Sequence, residues 1–205
     1  MNPAMLWTGP ENALPTVLLA HGAGAPMDTP FMTFFAEGIA GLGYRVGRFE
    51  FPYMAERRKS GARKPPNPTP ILLQTWRAAI AACKGPVVIG GKSMGGRIAS
   101  MIADDAKVAA LICLGYPFYG AGKRDKPRTA HLETLKTPTL ICQGERDPLG
   151  DRAAVEALTL SPAITMHWLP DGDHDLKPRK ASGRTHDQNL HSALDGISTF
   201  LSALR

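Results

Sequence analysis

At 205 residues, with 24 Lys+Arg against 18 Asp+Glu and a formal net charge of +6, the chain has the size of one ordinary domain, expected to run over residues 1–205. Its 43% hydrophobic and 20% charged residues exclude general disorder, and no apolar run approaches the roughly 18–20 residues of a membrane helix. Three cysteines (Cys83, Cys113, Cys142) are an odd number set in apolar segments, which excludes a disulfide scaffold. The first residues, Met1-Asn2-Pro3-Ala4, lack the basic segment and apolar core of a secretory signal, so the expected compartment is a reducing cytoplasm.

Apolar runs of strand length alternate with amphipathic runs of helix length, the pattern of an α/β fold with a mostly parallel, doubly wound sheet. Residues 1–15 have room for at most one short strand. Thr16-Val17-Leu18-Leu19-Ala20 reads as the first clear strand and ends at the small-residue turn His21-Gly22-Ala23-Gly24-Ala25. Asp28 or Thr29 can cap the next helix, Pro30 suits its first turn, and Met32, Phe35, Ala36, Ile39 and Ala40 share one face. Tyr44 to Phe51 reads as a second strand, and Pro52 to Pro70 as a proline- and arginine-rich loop. Leu72, Trp76, Ala79, Ile80 and Cys83 mark the inner face of the helix that follows. Pro86-Val87-Val88-Ile89 is continuously apolar, as a central strand buried on both faces must be. It leads through Gly90 to Gly96 into a helix carrying Ile98, Met101 and Ile102. Val108 to Leu114, Thr139 to Gln143 and Ala163 to Leu169 supply three more strands, with a helix over Asp151 to Leu158. Leu190, Leu194, Ile197, Leu201 and Leu204 recur at spacings of four and three, so the C-terminal helix should pack on the sheet.

The sharpest chemical signal is Gly91-Lys92-Ser93-Met94-Gly95, a G-x-S-x-G sequence between a buried strand and a helix. A serine on so tight a turn adopts a strained backbone, and side chains two residues to either side would meet the neighbouring strand and helix. Glycine at both places removes those collisions and lifts the hydroxyl clear of the sheet. A phosphate-binding loop, G-x-x-x-x-G-K-[ST], would end the same way, but its first glycine would fall at Pro86, which has no N–H to offer.

A serine hydroxyl needs a base to take its proton and an acid to hold that base, and on this fold they follow in that chain order of acid then histidine. Asp147 fits the acid, just past the strand ending near Cys142, with Glu145 and Asp151 as competitors. His174 fits the base, in the polar turn Asp171-Gly172-Asp173-His174-Asp175 after the last strand. His131, His167, His186 and His191 read as structural, and no group of residues stands out by metal-ligand spacing. A tetrahedral intermediate carries a negative oxygen that two backbone N–H groups must already face. Met94, directly after the nucleophile, supplies one, and Ala23, in the turn with Gly22, the other. His21 reads as a brace for that turn.

With these segments in view the chain resembles the α/β-hydrolases, and most closely their small dienelactone-hydrolase-like branch, which includes testis-expressed protein thirty and its bacterial relatives. The matching segments are Leu19 to Ala25, Phe51-Pro52-Tyr53-Met54, Gly90 to Arg97, Gly115-Tyr116-Pro117-Phe118 and Asp173 to Lys177. The resemblance implies a minimal α/β-hydrolase fold without a large lid, a Ser93–Asp147–His174 triad and hydrolase chemistry without cofactor or metal. Two departures stand out. Enzymes that open dienelactones use a cysteine nucleophile, so Ser93 points away from that reaction. The larger family also has two early strands where this chain has room for one.

Basic residues gather in three stretches: Arg57 to Lys64, Lys123 to Arg128, and Lys177 to Arg184. All three are expected on loops of the rim that carries Ser93, where one sign of charge would draw an anionic ester or thioester. No nucleic-acid motif accompanies them, so neither nucleic acid nor membrane is an expected partner. The segment from Tyr116 to Ala130 is too short for a helical lid; Tyr116, Phe118, Tyr119 and Gly22 are expected to line an open pocket for small soluble esters. The sequence therefore reads as a carboxylesterase-like serine hydrolase. The alternative is a non-catalytic module that binds a partner through the basic rim. The pattern specifies no oligomeric state.

Overall fold

In the computed structural model, which describes residues 2–204, one seven-stranded sheet separates two layers of helices. In chain order the elements are β1 (Met5–Thr8), β2 (Thr16–Ala20), α1 (Pro30–Gly41), β3 (Arg45–Phe49), α2 (Pro52–Ser60), α3 (Thr69–Ala81), β4 (Val87–Lys92), α4 (Met94–Ser100), β5 (Ala110–Leu114), β6 (Tyr119–Gly120), β7 (Lys123–Pro127), β8 (Thr139–Gly144), α5 (Arg152–Glu156), β9 (Ile164–Leu169) and α6 (His186–Ser202). The sheet order is β1-β3-β2-β4-β5-β8-β9. Only β1 runs antiparallel, pairing Met5 with Phe49 at the edge; the remaining pairs are parallel. Residues 1–15 thus supply the single short strand expected of them.

The alternation of strand side chains divides the core in two. Leu18, Ala20, Ile89, Leu111 and Ile141 face α3 and α4, where Trp76 meets Phe49 edge-on with ring centroids 4.7 Å apart. Val17, Leu19, Val88, Ile112 and Leu140 face α1 and α6. Thr29, not Asp28, caps α1, its side chain accepting from the Met32 N–H at 3.3 Å. Asp28 instead meets Arg58.

Three expectations are corrected. The segment read as a loop from Pro52 to Pro70 opens with the nine-residue helix α2. Pro52 sits in its first turn, Arg57, Arg58 and Lys59 complement the carbonyl end, and Gly61 closes it at φ 71°. The helix expected to carry Ile98, Met101 and Ile102 ends at Ser100, so Met101 and Ile102 lie past its end, Met101 37% exposed and Ile102 buried. The stretch from Tyr116 to Ala130 is not an open loop; it holds the two-stranded hairpin β6–β7, with β7 wholly exposed. As expected, no helix there covers the strand ends. No helix among the described residues is long and apolar enough to cross a membrane.

Candidate active site

Ser93 stands at the turn from β4 to α4 with φ 51° and ψ −116°, a conformation that costs a non-glycine residue energy and here points its side chain outward. Both flanking glycines are dictated by contact. A Cβ on Gly91 would lie 2.0 Å from the Ala20 carbonyl oxygen, and one on Gly95 would lie 2.4 Å from the same atom. The turn is squeezed against the end of β2, and any larger residue would drive the two strands apart.

Ser93, Asp147 and His174 come together at the carboxyl ends of three strands. Ser93 Oγ lies 2.8 Å from His174 Nε2, and His174 Nδ1 lies 2.7 Å from Asp147 Oδ2. A carboxylate only accepts, so Nδ1 carries the proton and Nε2 is left to accept from the serine hydroxyl. Asp147 has no exposed surface, and its charge is held by further donors: the Leu149 N–H at 2.8 Å on Oδ1 and Gln143 Nε2 at 3.0 Å on Oδ2. The two competing acids are committed elsewhere. Glu145 pairs with Arg152 at 3.0 Å and accepts from the Asp171 N–H, while Asp151 caps α5 and binds Arg124.

The His21 turn wraps over the serine. His21 is fully buried; its Nδ1 donates to the Gly22 carbonyl at 2.6 Å and its Nε2 accepts from the Phe51 N–H at 3.1 Å. Burial lowers its pKa, consistent with a neutral brace that fixes the turn against the end of β3. Tyr53, on α2, donates its hydroxyl to the Ala23 carbonyl at 2.8 Å, and burial pushes that phenol up to about 12. A Cβ on Gly22 would sit 3.7 Å from that of Ser93, so the turn packs directly on the serine. Ala23, Ser93 and Met94 share the wall of one small cavity.

Two cavities meet at Ser93. The larger, about 510 Å³, extends past His174 between Ala25, Phe31, Met32 and Lys92. The smaller, about 330 Å³, shares Ala23 and Ser93 with it and is otherwise lined by residues that include Met94, Arg97 and Arg128. Tyr116 and Phe118, expected to line an acyl pocket, are fully buried and border neither cavity, a correction with a clear cause. The Tyr116 backbone N–H donates to Gln143 Oε1 at 2.7 Å, tying its segment down beside Asp147. Its ring turns inward onto Phe118, and its hydroxyl lies 3.2 Å from Ser100 Oγ, while burial pushes the phenol up. Tyr119 is 7% exposed and packs in the same core. Gly22 does border the larger cavity.

Sequence reading passed over the lysine inside the elbow. Lys92 is buried at the end of β4, donates through Nζ to the His174 carbonyl and pairs with Asp175 at 3.1 Å. Burial pushes its pKa down, and Asp175 opposes that push. Gly115 makes the approach possible, since a Cβ there would lie 2.6 Å from the His174 carbonyl oxygen and 3.0 Å from Nζ. A charged residue closing an otherwise apolar strand was the available signal. Of the structural histidines, His131 contacts Ser100 at 2.8 Å, while His186 borders the larger cavity. The basic stretches are partly neutralised: Arg58 binds Glu50 at 2.6 Å and Asp28 at 2.9 Å, and Arg124 and Arg179 bind Asp151 and Asp171.

The sequence model of the alpha/beta hydrolase domain matches residues 13–202. The chain belongs to the α/β-hydrolase family. Solved structures of similar shape include a dienelactone hydrolase from Anabaena variabilis ATCC 29413, 21% identical, covering 97% of this chain and 90% of that one at a TM-score of 0.74. An alpha-beta serine hydrolase homologue from Coxiella burnetii is 19% identical over 94% of this chain and 90% of that one, with a TM-score of 0.71. A serine hydrolase without lid from Xanthomonas campestris is 18% identical over 96% of this chain and 88% of that one, with a TM-score of 0.65. At such identities these structures share the fold with this chain.

Proposed function

We propose that this α/β-hydrolase is a serine hydrolase that cleaves small soluble carboxylic esters or thioesters through an acyl-enzyme on Ser93. The observation that carries the proposal is the unbroken hydrogen-bonded relay from Ser93 Oγ through His174 to the fully buried Asp147. In the first step Ser93 Oγ bonds to the carbonyl carbon while its proton passes to His174 Nε2. The carbonyl electron pair moves to oxygen, held by the Met94 and Ala23 N–H groups. Asp147 keeps the imidazole oriented and stabilises the imidazolium. The bond to the leaving group then breaks, and the leaving group takes the proton from Nε2. Water repeats the sequence in reverse roles: His174 removes its proton, the hydroxide oxygen bonds to the acyl carbon, and Ser93 departs with the proton restored.

The open strand ends suit short soluble substrates, and the two-cavity layout gives the acyl and leaving groups separate places. The motif segments that resemble the dienelactone-hydrolase-like branch lie around this same site, and we place the chain in that branch. The buried free thiols of Cys113 and Cys142 fit the cytoplasmic location we assign. The ion pairs of Arg58, Arg124 and Arg179 leave less free charge for the alternative role of a partner-binding basic rim. A serine-reactive fluorophosphonate tests the proposal: peptide mapping should find the adduct on Ser93 and no adduct in His174→Ala protein. An unlabelled Ser93 in folded wild-type protein would falsify it.

A further inference from the structure

Arg97 and Arg128 line the smaller cavity, which begins at Ser93 and Met94. Arg97 follows the serine by one helical turn, its backbone N–H donating to the Ser93 carbonyl at 3.0 Å. Its guanidinium is poorly satisfied. Nε is buried without a hydrogen-bond partner, and Nη1 reaches only the Met101 sulfur at 3.6 Å. Arg58, Arg124, Arg146, Arg152 and Arg179 all find carboxylates; among the described residues neither Arg97 nor Arg128 has one within ion-pair distance. Burial pushes the Arg97 guanidinium below its ordinary value; the Tyr116 hydroxyl opposes this, and the positive charge of Arg128 adds to it.

Arg97 is half-buried and Arg128 exposed at the same wall; their like charges repel, an anion between them relieves that repulsion, and a guanidinium fork matches a carboxylate through parallel N–H donors. The geometry also decides which half of a substrate brings the anion. The leaving group must lie within reach of His174 Nε2, and His174 borders only the larger of the two cavities. The acyl group is then directed into the smaller one. We propose that Arg97 and Arg128 form a carboxylate-binding subsite for the acyl half of the substrate, so that the protein hydrolyses monoesters or monothioesters of short dicarboxylic acids. The inference rests on the hydrolase reading above and names its substrate class. The bond broken is the one between the acyl carbon and the alcohol oxygen or thiol sulfur; water supplies the new oxygen, and the product is a dicarboxylate.

Monomethyl glutarate and methyl pentanoate share a leaving group and an acyl chain length and differ in the terminal carboxylate, so acid release from the two isolates the subsite. Wild-type protein should favour monomethyl glutarate in kcat/KM by roughly 10- to 100-fold, the range of a charge-assisted hydrogen-bonded contact. Arg97→Met should bring the ratio close to one, Arg128→Met should lower it by less, and Arg97→Lys should recover part of it. No preference in wild type, or an equal loss of both substrates in Arg97→Met, overturns the subsite and leaves the hydrolase reading standing. If neither ester turns over, calorimetry decides with free glutarate against pentanoate. Glutarate binding that is about tenfold tighter and requires Arg97 supports the subsite, and equal binding or none overturns it. Labelling of Ser93 by the phosphonate reports on the hydrolase reading separately.

Discussion

The two cavities that meet at Ser93 are built from different chemistry. On the His174 side the walls are Ala25, Phe31 and Met32, and the one buried cation, Lys92, is already engaged by Asp175 and the His174 carbonyl. On the Met94 side the walls carry Arg97 and Arg128, neither of them matched by a carboxylate among the described residues. The same type of charge therefore does two jobs. Neutralised Lys92 fixes protein to protein, whereas the subsite proposed for Arg97 and Arg128 uses unneutralised charge to meet a ligand. The +6 net charge of the chain does not reveal which cation does which, because paired and unpaired residues count alike.

Replacing Lys92 should break the first half of this comparison. Lys92→Met removes the tie to the His174 segment, and an error of about 1 Å in the base costs on the order of 10²-fold. The expected result is a fall in kcat of roughly 10- to 100-fold with KM little changed, equal for monomethyl glutarate and methyl pentanoate, in steady-state assays. A change in their ratio would mean that Lys92 contacts the acyl group, and the division between the two cavities would fail. Phe31→Ala should sharpen the second half. Opening the larger cavity should raise relative kcat/KM for bulkier alcohols by roughly threefold to tenfold, from the apolar surface at stake, with acyl-charge preference unmoved. Competition between methyl and benzyl esters of one acid measures it.

Much of this architecture was legible in the sequence where backbone geometry and side-chain pattern coincide. The continuous run Val87-Val88-Ile89 could only be a strand covered on both faces, and glycines at 91 and 95 mark the places where Ala20 presses on the turn. Asp147, just past the buried strand β8, and His174, in the polar turn after β9, were legible for a related reason, since the loops that leave the carboxyl ends of the strands carry the site in this fold. What escaped reading depended on partners distant in sequence. The helix α2 buries only Tyr53 and Met54, too few apolar positions to show a period, although its proline start and glycine stop were both in view. Tyr116 and Phe118 follow a strand end as pocket residues do, but the bond that the Tyr116 N–H donates to Gln143 Oε1 ties that segment inward. Lys92 and Arg97 lie within six residues of each other in one motif, and nothing in their spelling separates the cation that meets Asp175 from the one that meets no acid.

The central claim is that Ser93, deprotonated by a His174 that Asp147 holds in place, forms the bond to the acyl carbon. Its most direct test is the turnover of Ser93→Ala beside wild type on short acyl esters, with thermal unfolding of both proteins as the control for fold. The expected loss in kcat is on the order of 10⁴–10⁶, with the unfolding temperature preserved. Turnover by the folded variant within about tenfold of wild type would contradict it, since a catalyst that survives the loss of its nucleophile was using another group.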